Sequence, residues 1–287
     1  MRIAVIGMGK MGQAVAGRLL DGGHDVTIWN RSPGRAGDLV ERGATEAASA
    51  AEAATAVEVV LVCLADDAAV LSVVTGEGEI ASALGESAVL VDMSTVSPET
   101  AAKLAEATGG RSLAGPILGA PSAVEAGKAV YLAAGPRDHF DRLAPAYGAL
   151  SEDVRYLGEE RERALQLKLL ANYLLLAGLV VLSEAVATAQ AVGFPEDVLR
   201  QFLDSSPLVA PGLRNRLDAL FSGRHSDWFT TPLGAKDVSL AEQMAAREAI
   251  RLPVAELVKR RYEEAAATGF ADEDLTAVIE LVRSQAG

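Results

Sequence analysis

An α/β N-terminal domain followed by an all-α C-terminal domain is the architecture this sequence predicts, on three observations. Short apolar runs alternate with Ala/Glu-rich helical stretches through the first half, the pattern of a parallel sheet covered on both faces. A glycine-punctuated turn joins the first apolar run to the first helix. From about Arg161 onward the strand signal stops and helical periodicity takes over.

The opening run Arg2–Ile6 reads as a buried strand and Gln13–Leu20 as a helix, with Gly7-Met8-Gly9-Lys10-Met11-Gly12 between them. In G-x-G-x-x-G the first glycine makes the tight turn and the second lets the backbone approach a pyrophosphate. The third lets the helix pack close to the strand. The helix N-terminus then offers N–H groups and a partial positive charge to the phosphates. Glycine-rich turns are common, so the motif alone is weak. Its flanking elements, with a second strand at Asp25–Asn30, supply the context of a Rossmann dinucleotide-binding domain.

The end of that second strand chooses the cofactor. NAD-selective sites place a carboxylate there, roughly twenty residues past the glycines, to bond the ribose 2′-hydroxyl. This chain has Trp29-Asn30-Arg31-Ser32 instead. Arg31 can pair with a 2′-phosphate and lie against adenine, while Asn30 and Ser32 can donate hydrogen bonds, so NADP is expected over NAD. The same residues also make a good solvated turn.

Composition bounds the rest. The chain has 287 residues and a formal charge of −13, from 39 acidic and 26 basic residues. That argues against nucleic acid or an anionic membrane as a partner. The single cysteine, Cys63, lies in an apolar run and reads as a core thiol of a reducing compartment. The N-terminal apolar stretch is too short for a signal peptide and runs into the glycine motif. The strongest membrane candidate, Leu169–Leu182, contains Asn172 and is shorter than the roughly 20 residues a span needs. A cytoplasmic, soluble protein is expected.

After the first two strands come Glu58–Leu64, Ala88–Ser94, Arg111–Ile117 and Ala129–Gly135. The last two are joined by Leu118–Lys128, too short a link to require a helical crossover. Ala44–Ala56 reads as a surface helix. Helices are then expected at Arg161–Val192, Glu196–Asp204, Leu213–Phe221, Lys236–Ala246, Pro253–Thr268 and Asp272–Ser284, punctuated by Gly193-Phe194-Pro195 and Ser206-Pro207. A boundary near residue 160 follows, giving domains 1–160 and 161–287.

Lys168 and Asn172 lie one helical turn apart among Leu165, Leu167, Leu169, Leu170 and Leu174. Neither polar group buries without partners at low cost. A partly desolvated lysine has a proton to give to the alkoxide that forms when hydride reduces a carbonyl, and the asparagine can hold it or the substrate in register. Spacing alone equally allows a snorkelling lysine and a packing amide. His24, His139 and His225 have no metal-ligand spacing and read as surface or turn residues. No metal is expected, and no G-x-S-x-G nucleophile elbow is present.

Over nearly its full length the chain resembles the β-hydroxyacid dehydrogenase family, which includes 3-hydroxyisobutyrate, glyoxylate/succinic semialdehyde and tartronate semialdehyde reductases. The resemblance rests on four motifs in order: Gly7-x-Gly9-x-Met11-Gly12, Asp92-Met93-Ser94-Thr95-Val96-Ser97-Pro98, Lys168-x-x-x-Asn172 and Leu233-x-x-Lys236-Asp237. It implies Lys168 as general acid and base, with Asn172 beside it. It also implies Thr95 near nicotinamide and substrate, and Lys236 near both. The implied cofactor set is Gly7, Met8, Gly9, Lys10, Met11, Gly12, Asn30, Arg31, Ser32, Leu64, Ala65, Thr95 and Lys236. The implied substrate set is Ser94, Thr95, Leu118, Gly119, Lys168 and Asn172. Without the resemblance, Ser94-Thr95 is a strand-end hydroxyl pair and Lys236-Asp237 a helix-start charge pair.

One stretch departs from the pattern. The family usually carries an acidic residue, Ala-Pro and then Ser-Gly-Gly to hold a substrate carboxylate, whereas this chain reads Ala114-Gly115-Pro116-Ile117-Leu118-Gly119-Ala120-Pro121. Leu118 removes the hydroxyl donor and Ala120 hinders backbone approach. The stretch is closer to the related imine reductases, which usually lack the lysine kept at Lys168. An NADPH-dependent reductase of a small aldehyde, ketone or 3-hydroxyacid-type carbonyl is expected. Imine reduction and a non-catalytic NADP-binding protein are the alternatives. The apolar helix around Lys168–Val192, together with the pairing usual in the family, implies a homodimer.

Overall fold

The structure is a computed structural model and describes residues 1–76, 79–226 and 228–285. It divides into two compact units, Met1–Lys168 and Leu169–Gly287. The division falls inside a helix rather than ahead of it, because Ala164 and Leu165 pack fully buried into a core of the first unit.

The first unit is built on a six-stranded, wholly parallel sheet of order β3-β2-β1-β4-β5-β6. Its strands are β1 (Arg2–Ile6), β2 (Asp25–Trp29), β3 (Thr45–Glu46), β4 (Val59–Val62), β5 (Val89–Asp92) and β6 (Ser112–Ala114). β1, β4 and β5 are buried on both faces, which is why they read as unbroken apolar runs. The helices are α1 (Lys10–Asp21), α2 (Ala50–Ala54), α3 (Asp67–Val74), α4 (Ile80–Ala83) and α5 (Pro98–Ala107). Strand order reverses at β1 and β4, so the carboxyl ends of β2, β1, β4 and β5 border the crevice where doubly wound sheets bind ligands.

Two expectations change here. Ala44–Ala56 is not one surface helix. Thr45 and Glu46 pair with Thr27 and Ile28 as an edge strand, and the helix starts only after Ser49, whose hydroxyl accepts from Glu52 N at 3.0 Å. The Glu52 carboxylate in turn accepts from Ala48 N at 2.8 Å, just ahead of the N-cap, and Ala50, Ala53 and Ala54 are buried. The run Arg111–Ile117 also splits. Ser112–Ala114 pairs with β5, while β7 (Ile117–Leu118) joins a three-stranded sheet with β8 (Val130–Ala133) and β9 (Val154–Tyr156). Gly115 and Pro116 make the break: a Cβ on Gly115 would stand 2.5 Å from Val91. β9 escaped the sequence reading, and the β7–β8 link holds only the short α6 (Pro121–Glu125). Two further helices, α7 (Arg137–Arg142) and α8 (Ala144–Leu150), precede β9.

α9 (Glu162–Ala191) begins in the first unit and continues into the second. It is 30 residues long and its most apolar 18-residue stretch has a mean hydropathy of 2.0, enough by length and composition to cross a membrane, so the argument from shortness fails. One side of it is core: Leu176, Leu179 and Val186 are wholly enclosed in the second unit, while 44% of the apolar stretch is buried in all.

The second unit is helical: α10 (Glu196–Ser205), α11 (Pro211–Arg214), α12 (Leu217–Ser222), α13 (Thr231–Arg247), α14 (Pro253–Ala265), a 3-10 helix at Leu275–Ile279 and α15 (Glu280–Arg283). α13 starts well before Lys236, with Pro232 in its first turn, so Lys236-Asp237 is not a helix-start pair. The expected Asp272–Ser284 helix is a 3-10 turn leading into α15. His225 is a further correction. It is buried, with Nδ1 at 2.9 Å from Thr276 Oγ1 and Nε2 at 3.0 Å from Glu280 Oε1. Its partners lie more than fifty residues away in the chain, which hides them from any local reading.

Candidate active site

The glycine loop follows β1 directly, and each glycine answers to a different constraint. Gly7 has φ +99°, and a Cβ there would meet the Cys63 carbonyl oxygen at 2.3 Å. A Cβ on Gly12 would stand 1.8 Å from the Gly7 carbonyl oxygen, so only glycine lets α1 pack against the turn. Gly9 differs: it is the N-cap of α1 with φ −72° and ψ 177°, and nothing lies within 4 Å of where its Cβ would go. That open space at an exposed helix N-terminus with no side-chain cap is the cradle a dinucleotide phosphate requires, and a methyl group would fill it. The residues therefore fit the cofactor. Met8 is buried beneath the loop and Lys10 is exposed beside it. Met11 packs against the core of this unit.

Beyond β2, Asn30 is a bracket rather than a free donor. Its Oδ1 accepts from Met8 N at 2.9 Å and its Nδ2 donates to Ser32 O at 2.8 Å, tying the glycine loop to the following turn. Gln13, which the sequence reading passed over, adds a second tie by donating to Met8 O at 3.0 Å and Arg35 O at 3.1 Å. The side chains of Arg31 and Ser32 are exposed at this rim, with no carboxylate in the turn between Asn30 and Arg35.

The ends of β4 and β5 are laced together. Leu64 N donates to Ser94 Oγ at 3.0 Å, and Ser94 N donates to Asp92 Oδ1 at 3.0 Å. Ser94 is buried, so its hydroxyl serves the fold, whereas Thr95 and Leu64 are half-buried and Ala65 exposed at the sheet's carboxyl edge. Burial, and then the Asp92 carboxylate, push the nearby Cys63 thiol up to about 12, which keeps it protonated and inert.

Lys168 also belongs to the first unit. It is 9% exposed, and its Nζ donates to the Ile117 carbonyl oxygen at 2.6 Å. That bond fixes the ammonium beside β7, one residue from Leu118. Leu118 pairs with Val130 across the small sheet and is half-buried against the core. Gly119 has φ +147° and would press a Cβ to 3.1 Å from Ala129, which gives it a packing reason independent of any ligand.

Asn172 lies one turn further along α9. Within the second unit its Nδ2 donates to Asp237 Oδ2 at 2.6 Å, and Lys236 Nζ pairs with Asp237 Oδ1 at 2.9 Å. Asp237 is 2% exposed and holds both expected site residues at once. It stands inside the Leu233-x-x-Lys236-Asp237 motif, but only the fold reveals its reach to Asn172.

Residues 2–158 match the family described as the NAD binding domain of 6-phosphogluconate dehydrogenase. Residues 164–282 match the one described as the NAD-binding of NADP-dependent 3-hydroxyisobutyrate dehydrogenase. The chain belongs to the β-hydroxyacid dehydrogenase family. Its relatives include Glyoxylate/succinic semialdehyde reductase 1 of Arabidopsis thaliana, 32% identical and covering 99% of each chain. A crystal structure of 3-hydroxyisobutyrate dehydrogenase from Salmonella typhimurium shares the fold, with a TM-score of 0.91 over 98% of this chain and 99% of that one at 24% identity. An imine reductase of Streptomyces aurantiacus is 28% identical, with a TM-score of 0.65 over 98% of this chain and 99% of that one. The chain is thus an NAD(P)-binding oxidoreductase of that family.

Proposed function

We propose that the enzyme reduces a small aldehyde or ketone with NADPH, and that Lys168 delivers the proton to the carbonyl oxygen. The observation that carries this is the buried Lys168 ammonium held on the Ile117 carbonyl at 2.6 Å, in the same unit as the glycine loop. NADPH, when bound, supplies the hydride. Lys168 passes its proton to the developing alkoxide on reduction and takes it back on alcohol oxidation, a contribution of roughly 10²–10⁴ in rate. Asn172 and Lys236 are the second unit's substrate-binding residues, both steadied by Asp237. Thr95 and Ala65 form the nicotinamide edge. The preference for NADPH rests on Arg31 and on the missing carboxylate after β2.

The substrate carries an uncharged apolar group against Leu118. Leu118 directly follows the residue whose carbonyl holds the ammonium, and Gly119-Ala120-Pro121 come next, none with a side-chain donor. Burying such a substituent is worth about 1.5–3 kcal/mol, whereas a carboxylate there would find no hydrogen bond from residue 118 and its desolvation would be poorly compensated. The same apolar wall favours imine reduction as the second reading. The enzyme works as a homodimer, paired along the α9 stripe where Leu174 and Val181 are 74% and 66% exposed. Oxidation of NADPH, followed with glyoxylate, succinic semialdehyde, an uncharged aldehyde of similar size and a cyclic imine, tests the reading. Turnover of the uncharged aldehyde above the others supports it, and turnover of the imine alone overturns it.

A further inference from the structure

We infer that Asp67 is a positioning residue for the nicotinamide edge of the cofactor site, clamping the loop after β4 to the loop after β5. The inference rests on the reading that Ala65 and Thr95 face that end of the dinucleotide. Asp67 Oδ1 accepts three hydrogen bonds from the β5 side: from Ser97 N at 2.9 Å, from the Ser97 hydroxyl, and from Thr100 Oγ1 at 2.6 Å. Together with the Leu64 N to Ser94 Oγ bond, this closes a bracket. Ala65 and Asp66 lie between the two ties on one loop, and Thr95 and Val96 on the other.

The neighbouring acid shows that this contact is additional to ordinary helix capping. Asp66 caps α3, its Oδ1 accepting from Ala69 N at 2.8 Å, so α3 does not need Asp67 for its N-cap bond. On the other side, Ser97 occupies the N-cap position of α5 yet makes no side-chain cap bond. Its hydroxyl goes to Asp67 instead, and the Asp67 carboxylate takes the place of a cap at the α5 N-terminus, where negative charge is favoured. Val96 is fully buried, which pins the β5 loop from beneath and leaves its outward side to be set by the clamp. Three charge-assisted contacts on one oxygen make a stiff joint. Its stiffness bears on where Thr95 and Ala65 stand, not on the glycine loop or the Arg31 turn.

That spatial division supplies the test. Adenosine 2′,5′-bisphosphate probes the adenine and 2′-phosphate half of the site, and NADPH probes the whole. Dissociation constants for both are measured by titration calorimetry on the wild type, Asp67→Ala and Asp67→Asn, with the emission of bound NADPH recorded in parallel. Asp67→Ala is expected to weaken NADPH at least tenfold and to abolish the emission change, while leaving the bisphosphate within twofold of wild type. Asp67→Asn keeps an acceptor without the charge and should fall between; it also carries the test if the alanine variant does not fold. Equal weakening of both ligands, or unchanged NADPH affinity, overturns the clamp. Wild-type NADPH binding no tighter than the bisphosphate would instead overturn the placement of nicotinamide, and the inference with it.

Discussion

Adding one methyl group at Gly9 should leave the fold standing and disable the cofactor site, whereas the same methyl at Gly12 should damage the fold itself. Gly9 has an extended backbone that any L residue adopts, and nothing lies within 4 Å of its Cβ position. Gly→Ala at such a compatible site gains about 0.4–1 kcal/mol through the unfolded chain, which offsets the loss of up to about 1 kcal/mol from placing alanine at an N-cap. At Gly12 the new Cβ would stand 1.8 Å from the Gly7 carbonyl oxygen, so backbone must move, and overpacking of this kind costs roughly 1–3 kcal/mol or more. The ligand side is also calculable. At a concentration of NADPH about 100 times the wild-type Kd, binding stabilises the protein by about 2.7 kcal/mol. If the Gly9 methyl raises Kd a hundredfold, the same NADPH leaves about 0.4 kcal/mol. Melting curves with and without NADPH read both effects. Apo Gly9→Ala should melt close to wild type and gain little from NADPH, and apo Gly12→Ala should melt lower. A Gly9→Ala protein that binds NADPH as tightly as wild type, or melts as low as Gly12→Ala, would refute the assignment of Gly9 as the phosphate cradle.

Other residues give equally separable outcomes. Arg31→Ala should weaken NADPH by roughly 1.5–3 kcal/mol in equilibrium binding and leave NADH nearly unchanged; equal losses would show that Arg31 does not read the 2′-phosphate. Leu118→Ser should shift kcat/KM toward glyoxylate and succinic semialdehyde and away from an uncharged aldehyde. A wild-type preference for the acids of tenfold or more, about 1.4 kcal/mol in transition-state binding, would sink the apolar-wall idea. Leu174→Glu should drive a dimer to monomer in sedimentation velocity, because it sets a charge on the exposed α9 stripe; an unchanged dimer would place the interface elsewhere.

The parts of this enzyme that sequence made legible are those whose cause is local. Gly7, Gly9 and Gly12 announce a strand–turn–helix by their spacing, with Gly12 packing on Gly7 five residues back, and β1, β4 and β5 read as strands because both faces are buried. The misread pieces are short or depend on distant partners. Thr45–Glu46 is a strand only because β2 lies beside it, and β9 only because β8 does. Asn30 looks like a ligand donor until Met8 and Ser32 are seen to use both ends of its amide. Lys168 reaches Ile117 across 51 residues, and Asn172 reaches Asp237 across 65, so their partners could not be read from spacing along one helix. His225 was placed on the surface for the same reason. The all-parallel sheet and the helical second half were foreseeable from periodicity; the hydrogen-bonded lacing that positions the site was not.

The central claim is that the buried Lys168 ammonium is the proton donor, and a single-turnover experiment tests it most directly. Enzyme loaded with saturating NADPH is mixed with an uncharged aldehyde, and loss of NADPH absorbance is followed for wild type and Lys168→Ala across pH 5–9, with NADPH affinity measured on the same samples. The account predicts a rate lowered by roughly 10²–10⁴ at every pH, with NADPH bound within about twofold of wild type. A Lys168→Ala enzyme that turns over within tenfold of wild type anywhere in that range would contradict it, and would assign the lysine a structural role.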